Sequence, residues 1–215
     1  MGTNDLEAFL SAVGEVLGQA GQTARVIVVG GAALMLGRLS DRLTTVDVDV
    51  LAEICGGEIV HPDPFSAPLA EAVREVADGY GLDADWMNGH VAQFWRWQWP
   101  DGLPQALLTD VQWHAYGALE VGLAGRQTLI ALKLRAVATQ VRYERVAAAD
   151  GSLSTCGAWI PETPDVQRHL KDLLGLAPTE DELGGAIPWV WTNANTPDFS
   201  FAVDAVTCHV RDARR

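Results

Sequence analysis

The chain has 215 residues, of which 48% are hydrophobic and 20% are charged, a balance typical of a folded globular protein that excludes wholesale disorder. Fifteen Lys and Arg stand against 28 Asp and Glu, so the formal net charge is −13. This sign disfavours extended duplex DNA and anionic membranes as partners, because both require a basic face. It is compatible with an acidic metal site and with a nucleotide held by a few local cations.

Apolar periodicity predicts the first elements of the chain. Residues 5–17 place apolar side chains at helical spacing, and this stretch carries acids that a secretory signal lacks. Residues 24–29 form a β-branched run typical of a buried strand, which Gly30 and Gly31 end before a short predicted helix over 32–39. Since no apolar run is long enough to span a bilayer, we expect a soluble, cytoplasmic protein with no membrane partner.

The later elements are predicted as a mixture of strands and helices. Further strands are predicted over 44–51, 106–113 and 119–123 and from about 199, further helices over 66–80, 127–146, 165–174 and from 179, and a loop over 147–164. Such a mixture predicts an α/β (α+β) fold with a small mixed β-sheet flanked by helices. We expect a core over residues 1–125 and a mainly helical C-terminal part over 126–215, which either packs on the core or continues it as one domain.

Two aspartates alternate with valines in the segment Thr44-Thr-Val-Asp-Val-Asp-Val50. Side chains alternate between the two faces of a strand, so the three valines are predicted to share one face and Asp47 and Asp49 the other. Two carboxylates about 7 Å apart on one face repel each other, and a divalent cation such as Mg²⁺ relieves that repulsion. The alternative is a half-exposed edge strand with a polar outer face.

Gly30 and Gly31 lie between a predicted strand and a predicted helix. Paired glycines let the backbone turn sharply and let a phosphate come close, and the helix N-terminus offers N–H groups. A purely structural turn is the alternative, since neither a Walker motif nor G-x-G-x-x-G is present. The order of the motifs, with the turn shortly before the Asp-x-Asp strand, favours phosphate binding.

Lys133 is predicted to occupy the middle of an apolar helix face. At about 100° per residue it projects among Leu129, Ile130 and Val137. A lysine in that position either snorkels past its neighbours or reaches an anion in a cleft, and the central position favours the anion.

Together these motifs resemble the nucleotidyltransferase superfamily with the DNA polymerase β-like minimal core. More narrowly, the chain resembles bacterial AbiEii-type toxins and related nucleotidyltransferase-like proteins. The matching segments are Val29-Gly-Gly-Ala-Ala33, Arg42-Leu-Thr-Thr-Val-Asp-Val-Asp-Val50 and Leu129-Ile-Ala-Leu-Lys-Leu-Arg-Ala136. Gly81-Leu-Asp-Ala-Asp-Trp-Met-Asn88 is also similar to a run common in these proteins, which draws attention to Trp86 and Asn88.

The resemblance implies transfer of NMP from an NTP, with Mg²⁺ or Mn²⁺ as cofactor, to an RNA end such as that of tRNA or to a protein hydroxyl. It also implies a toxin, with a cognate antitoxin or in an abortive-infection system. The implied roles are metal binding for Asp47 and Asp49, nucleotide binding for Gly30, Gly31, Thr45 and Lys133, and catalysis for Asp47, Asp49, Lys133 and a third carboxylate.

The third carboxylate has two candidates, because relatives carry K-D-x-x-D in a later helix. One register offers Asp165, with Arg168 at the second acidic position; the other offers Asp172, with His169 at the first. Neither register keeps both carboxylates. The alternative function is therefore a catalytically degenerate nucleotidyltransferase fold that binds a nucleotide or a partner protein.

Overall fold

A computed structural model describes residues 1–95, 99–147, 153–190 and 197–215 of the protein. Contacts between residues divide the chain into two compact units, a first unit over Met1–Gly125 and a second unit over Arg126–Arg215.

A mixed sheet of six strands forms the centre of the first unit. The strands are β1 (Ala24–Val29), β2 (Val48–Cys55), β3 (Glu58–Val60), β4 (Met87–Asn88), β5 (Val111–Tyr116) and β6 (Leu119–Ala124). Their order is β3-β2-β1-β6-β5, and β4 pairs with β2. The central strand β1 runs parallel to β6 and antiparallel to β2, and all of its side chains except Arg25 are buried, as its β-branched sequence predicts.

Helices flank this sheet. They are α1 (Thr3–Gln19), α2 (Gly30–Leu36), α3 (Ala67–Tyr80), a 3₁₀ helix (His90–Trp95) and α4 (Leu103–Thr109). α1 buries the apolar face formed by Leu6, Leu10, Val13 and Leu17. A Cβ on Gly14 would overlap the carbonyl oxygen of Tyr116, so the absent side chain lets α1 lie directly on the sheet.

The second unit is built around one helix. Its elements are α5 (Arg126–Ala138), β7 (Arg142–Ala147), β8 (Leu153–Trp159), α6 (Pro164–Gly175), α7 (Glu180–Val190) and α8 (Pro197–Asp212). α5 packs against α6, α7 and α8, and most of its side chains are buried, while β7 and β8 form an antiparallel hairpin. Helices and a mixed sheet in one chain confirm the predicted α/β fold class.

The helix predicted over 127–146 was too long. α5 ends at Ala138, and β7 begins at Arg142. Val141 and Tyr143 alternate with charged residues, a pattern that suits a half-buried strand. The alternation of apolar and charged residues ends at the consecutive charges Glu144 and Arg145, where the pairing register also shifts. The loop predicted over 147–164 contains a strand instead. This strand, β8, is the antiparallel pairing partner of β7.

Two further strands were predicted in the wrong place. Residues 106–113 contain the end of α4 and the start of β5, and Pro104 suits the first turn of α4 because the N–H that it lacks has no partner there anyway. The strand expected from about residue 199 lies in α8, whose buried Ala202, Val203, Val206 and Val210 recur at helical spacing.

Among the helices of the described residues, none is both long enough and apolar enough to cross a membrane.

Candidate functional site

The glycine turn and the first carboxylate motif meet at one edge of the β1–β2 pair. β1 ends at Val29, which lies opposite Asp49 in the antiparallel register. Gly30 follows with a φ of +67°, a left-handed conformation that side chains rarely adopt. A Cβ at this position would also overlap Asp49 Oδ2. Gly30 is therefore required both by its backbone conformation and by the carboxylate that lies against it.

Gly31 gives the same kind of space to two other side chains. A Cβ there would lie 2.6 Å from Thr45 Oγ1 and 2.8 Å from Arg42 Cζ. Thr45 is buried, its Oγ1 donates to the carbonyl oxygen of Asp47 (3.2 Å), and its main-chain N–H donates to the carbonyl oxygen of Met1 (3.0 Å). The structure thus brings the predicted nucleotide-binding residue Thr45 onto the glycine turn.

Arg42 is the residue at this turn to which sequence reasoning assigned no role. It opens the motif that contains both aspartates, so its place in that motif was the available signal. Its Nε donates to the carbonyl oxygen of Thr44 (2.8 Å), and this bond folds the side chain back toward Gly31.

Asp47 and Asp49 share one face of the chain, as predicted, but the strand is shorter than predicted. β2 begins at Val48 rather than at residue 44, but burial alternates from Asp47 to Val50, with the aspartates half-buried and the valines buried. The prediction that Val46 shares the valine face was wrong, because Val46 is 76% exposed. The chain bends at this residue before it enters the sheet, so the strand alternation does not extend back to it.

The donor set at the turn suits a hard divalent cation. Mg²⁺ usually takes one or two protein carboxylates and completes its shell with water and substrate phosphate oxygens. Asp47 and Asp49 supply two carboxylates, and no described residue bonds to the carboxylate of Asp47. Within the described ranges no group of three or more His, Cys, Asp or Glu side chains could hold a metal ion.

Trp86 and Asn88 support this edge of the sheet. Asn88 pairs with Asp49 in the parallel β2–β4 ladder, and its side-chain amide donates to the carbonyl oxygen of Asp85 while its Oδ1 accepts from the N–H of His90. The Trp86 ring is fully buried, and its indole N–H donates to the carbonyl oxygen of Val73 on α3. Both residues act through the backbone that they hold next to Asp49.

Glu53, farther along β2, is a buried carboxylate that sequence reasoning did not single out. Its Oε1 accepts from the N–H of Ser66, the residue that precedes α3 (2.8 Å). An acid at this position stabilises the N-terminal end of the helix, where N–H groups lack partners within the helix. Its role is structural.

In the second unit, Lys133 is buried in the middle of α5, where the helical projection placed it. Its ammonium group donates to Asp172 Oδ2 of α6 at 2.7 Å, and both side chains are less than a tenth exposed. The anion that this lysine reaches is therefore the carboxylate of Asp172. Of the two registers for a third carboxylate, the structure joins Lys133 to the one at Asp172.

His169 lies beside this pair as a neutral base. Lys133 Nζ is 3.5 Å from His169 Nδ1, and since an ammonium group can only donate, Nδ1 accepts and the ring proton belongs on Nε2. Burial, and next the charge of Lys133, lower the pKa of His169 to about 4. The register that places a histidine where relatives carry an acid thus puts a neutral group next to the ion pair.

Asp165, the other candidate, lies on the exposed side of α6. It pairs with Arg168 one turn later, and its Oδ2 is 3.9 Å from His169 Nε2. This carboxylate is a solvent-exposed partner of residues on its own helix. The structure does not bring it to Lys133.

Comparison of the chain with models of known protein families, with curated proteins and with solved structures found no match.

Proposed function

We propose that this protein is a metal-dependent nucleotidyltransferase that moves NMP from an NTP to an RNA end or to a protein hydroxyl. The observation that carries the proposal is the contact between Gly30 and the carboxylate of Asp49, in which two motifs nineteen positions apart form one surface. A carboxylate that could hold a metal lies there beside a backbone that could admit a phosphate.

In the proposed reaction, the oxygen of the acceptor hydroxyl attacks the α-phosphorus of the NTP. A new P–O bond forms, the bond between the α-phosphorus and the oxygen that bridges it to the β-phosphorus breaks, pyrophosphate leaves, and the hydroxyl proton passes to solvent water. Bound Mg²⁺, held by Asp47 and Asp49, would supply positive charge to the phosphate oxygens. The bare Cα atoms of Gly30 and Gly31 let the triphosphate approach the main chain, and the hydroxyl of Thr45 keeps the entry to β2 in shape.

Lys133 and Asp172 enter the proposal as a pair. The resemblance implies that Lys133 contacts a phosphate and that a third carboxylate orients the acceptor. Since each neutralises the other's charge in the second unit, we propose that Asp172 sets the position of the Lys133 ammonium group, with the exposed Asp165 as the less suitable carboxylate.

The test is transfer of label from each of the four α-labelled NTPs, with Mg²⁺ or Mn²⁺, to bulk tRNA and to cell protein. Asp49→Asn and Asp47→Asn keep the size of each side chain and remove its charge, and we expect a loss of at least about 100-fold in transfer from either change. Asp78→Asn, an exposed position on α3, is the matched control and should transfer like the wild type. Absence of label on any acceptor with any NTP would contradict the proposal.

A second candidate is a catalytically degenerate fold that binds a nucleotide or a partner. The observation that favours it is that each candidate for the third carboxylate already has a cationic partner within the second unit: Asp172 pairs with Lys133, and Asp165 pairs with Arg168. It predicts NTP-dependent thermal stabilisation of the protein without pyrophosphate release.

A toxin role is a further part of the proposal. Induced expression of the wild type should arrest growth, whereas the Asp49→Asn protein at equal abundance should not. Equal growth of both strains would leave transfer activity in place but contradict the toxin, and with it the cognate antitoxin.

A further inference from the structure

Arg42 places a guanidinium group on the glycine turn. A Cβ on Gly31 would lie 2.8 Å from its Cζ and 3.0 Å from its Nε, so the planar end of the side chain lies over the bare Cα of Gly31. Asp49 occupies the matching position over Gly30. Two opposite charges thus lie over two consecutive glycines, at the surface to which the triphosphate is assigned.

The charge of the first unit makes a cation at this place important. That unit holds five Lys and Arg and seventeen Asp and Glu, a net charge of −12. A polyphosphate that approaches Asp47 and Asp49 is repelled, and a divalent ion offsets only part of this repulsion. Arg42 brings a positive charge to the turn itself, while Arg25 lies with Glu120 and Trp113, and Arg74 lies with Glu71 on α3.

We propose that Arg42 is the phosphate-binding residue of this site and that it gives the site its preference for a nucleoside triphosphate over a nucleoside or a monophosphate. The inference rests on the proposed function, because it names the part of the substrate that this residue recognises. The guanidinium fork matches two phosphate oxygens at once, a geometry that an ammonium group does not reproduce. The bond from Nε to Thr44 holds the fork at the turn before the substrate arrives, which lowers the entropy lost on binding.

Gly31 is the counterpart of this arrangement. Any side chain at position 31 would displace Arg42 and Thr45 together, so the second glycine of the motif is explained by the need to seat a cation and not only by the turn. The first glycine has a positive φ, whereas no positive φ occurs at Gly31. Gly31 is therefore required because a side chain there would overlap Arg42 and Thr45, and not because of its backbone conformation.

The experiment measures the dissociation constants of an NTP, of the matching NMP and of the nucleoside, with and without Mg²⁺, by calorimetry on the full chain. The variants are Arg42→Gln, Arg42→Lys and the matched surface control Arg74→Gln. For Arg42→Gln we expect NTP binding about 10- to 100-fold weaker, NMP binding less affected and nucleoside binding unchanged. Arg42→Lys should be intermediate, and Arg74→Gln should bind all three ligands like the wild type.

The results separate this inference from the proposed function. If the wild type binds no NTP, the proposed function is wrong and the assignment of Arg42 with it. If the wild type binds NTP and Arg42→Gln binds it equally well, only the assignment of Arg42 is wrong. If Arg42→Gln weakens the binding of NTP and of nucleoside equally, Arg42 acts by maintaining the conformation of the loop, and the inference is overturned. Should the glutamine variant fail to fold, Arg42→Lys decides: unchanged NTP affinity rejects the bidentate contact.

Discussion

Gly30 is constrained at the scale of one residue by two independent effects. Its φ of +67° costs a residue with a side chain about 1–2 kcal/mol, and its Cα faces Asp49 Oδ2 with no room for a methyl group. Gly21 has nearly the same φ, +66°, but a Cβ there meets nothing within 4 Å. The two glycines therefore separate backbone strain from the contact with the carboxylate.

Gly30→Ala is expected to lower the free energy of unfolding by more than Gly21→Ala does. The Gly21 variant should lose about 1 kcal/mol from backbone strain alone, and the Gly30 variant at least about 1 kcal/mol more, because Asp49 must move while it stays paired to β1. Urea denaturation measures both losses. Equal losses would mean that the carboxylate adjusts freely, and the contact would then say little about function.

Lys133 and Asp172 also make a prediction at this scale. Removal of one partner leaves a buried charge without its counterion, so Lys133→Met or Asp172→Leu should each cost about 3–5 kcal/mol of stability. The double variant should cost much less than the sum of the two, because both charges are gone. Urea denaturation of all four proteins closes the cycle. The exposed Arg74–Glu71 pair is the control and should couple by less than about 0.5 kcal/mol; additive losses at Lys133 and Asp172 would contradict the prediction.

At the scale of elements, we expect the contact between α6 and α5 to depend on pH through His169. The pKa of His169 falls to about 4 in the folded protein against its usual value near 6.5, with Lys133, Asp172, Asp165 and Arg168 as the charges that face it. Below pH 6.5 His169 becomes protonated in the unfolded chain, whereas in the folded chain it stays neutral until the pH falls to about 4. Stability should therefore be complete above pH 6.5 and fall as the pH drops toward 4.

We expect this loss to be about 1–2 kcal/mol, after a discount for the partial exposure of the ring. Thermal unfolding from pH 7 to pH 4.5 measures it, and His169→Asn, which lacks the titrating group, should show a flatter profile. The pKa of Glu182 is lowered to about 2, chiefly by its hydrogen bond with Arg126, so its contribution to stability is lost only below about pH 4.5, outside the measured range. Identical profiles for variant and wild type would assign the pH dependence to other groups.

The elements differ in how far the sequence could predict them. β1 and the apolar face of α1 follow from side-chain pattern alone, because β1 is a short β-branched run and α1 keeps its helical apolar spacing over its whole length. The hairpin of β7 and β8 could not be predicted in this way. The alternation of apolar and charged residues in β7 is interrupted at Glu144/Arg145, and the strand is stabilised by pairing with β8, which a local pattern does not reveal. The same difference applies to the candidate site. Local motifs singled out Gly30, Gly31, Asp47 and Asp49. The position of Arg42 over Gly31 and the pairing of Lys133 with Asp172 depend instead on how segments distant in the sequence pack.

At the scale of the whole molecule, the charge is divided unequally between the two units. The first unit has a net charge of −12, while the second has ten Lys and Arg against eleven Asp and Glu, a net charge of −1. The overall value of −13 therefore describes the first unit far better than the second. The low net charge of the second unit makes it the more suitable place for an extended polyanion such as RNA to bind.

If an RNA is the acceptor, its contacts should accordingly lie in the second unit. Ultraviolet cross-linking of bulk tRNA to the intact protein, followed by mass spectrometry, should identify peptides from residues 126–215 in large excess over peptides from 1–125. Duplex DNA should bind more weakly than about 100 µM at physiological salt, because a unit whose ten cations are outnumbered by eleven anions offers few phosphate contacts. Cross-links concentrated in 1–125, or tight duplex binding, would show that a few local cations outweigh the net charge, and the charge argument would then have no predictive value for this chain.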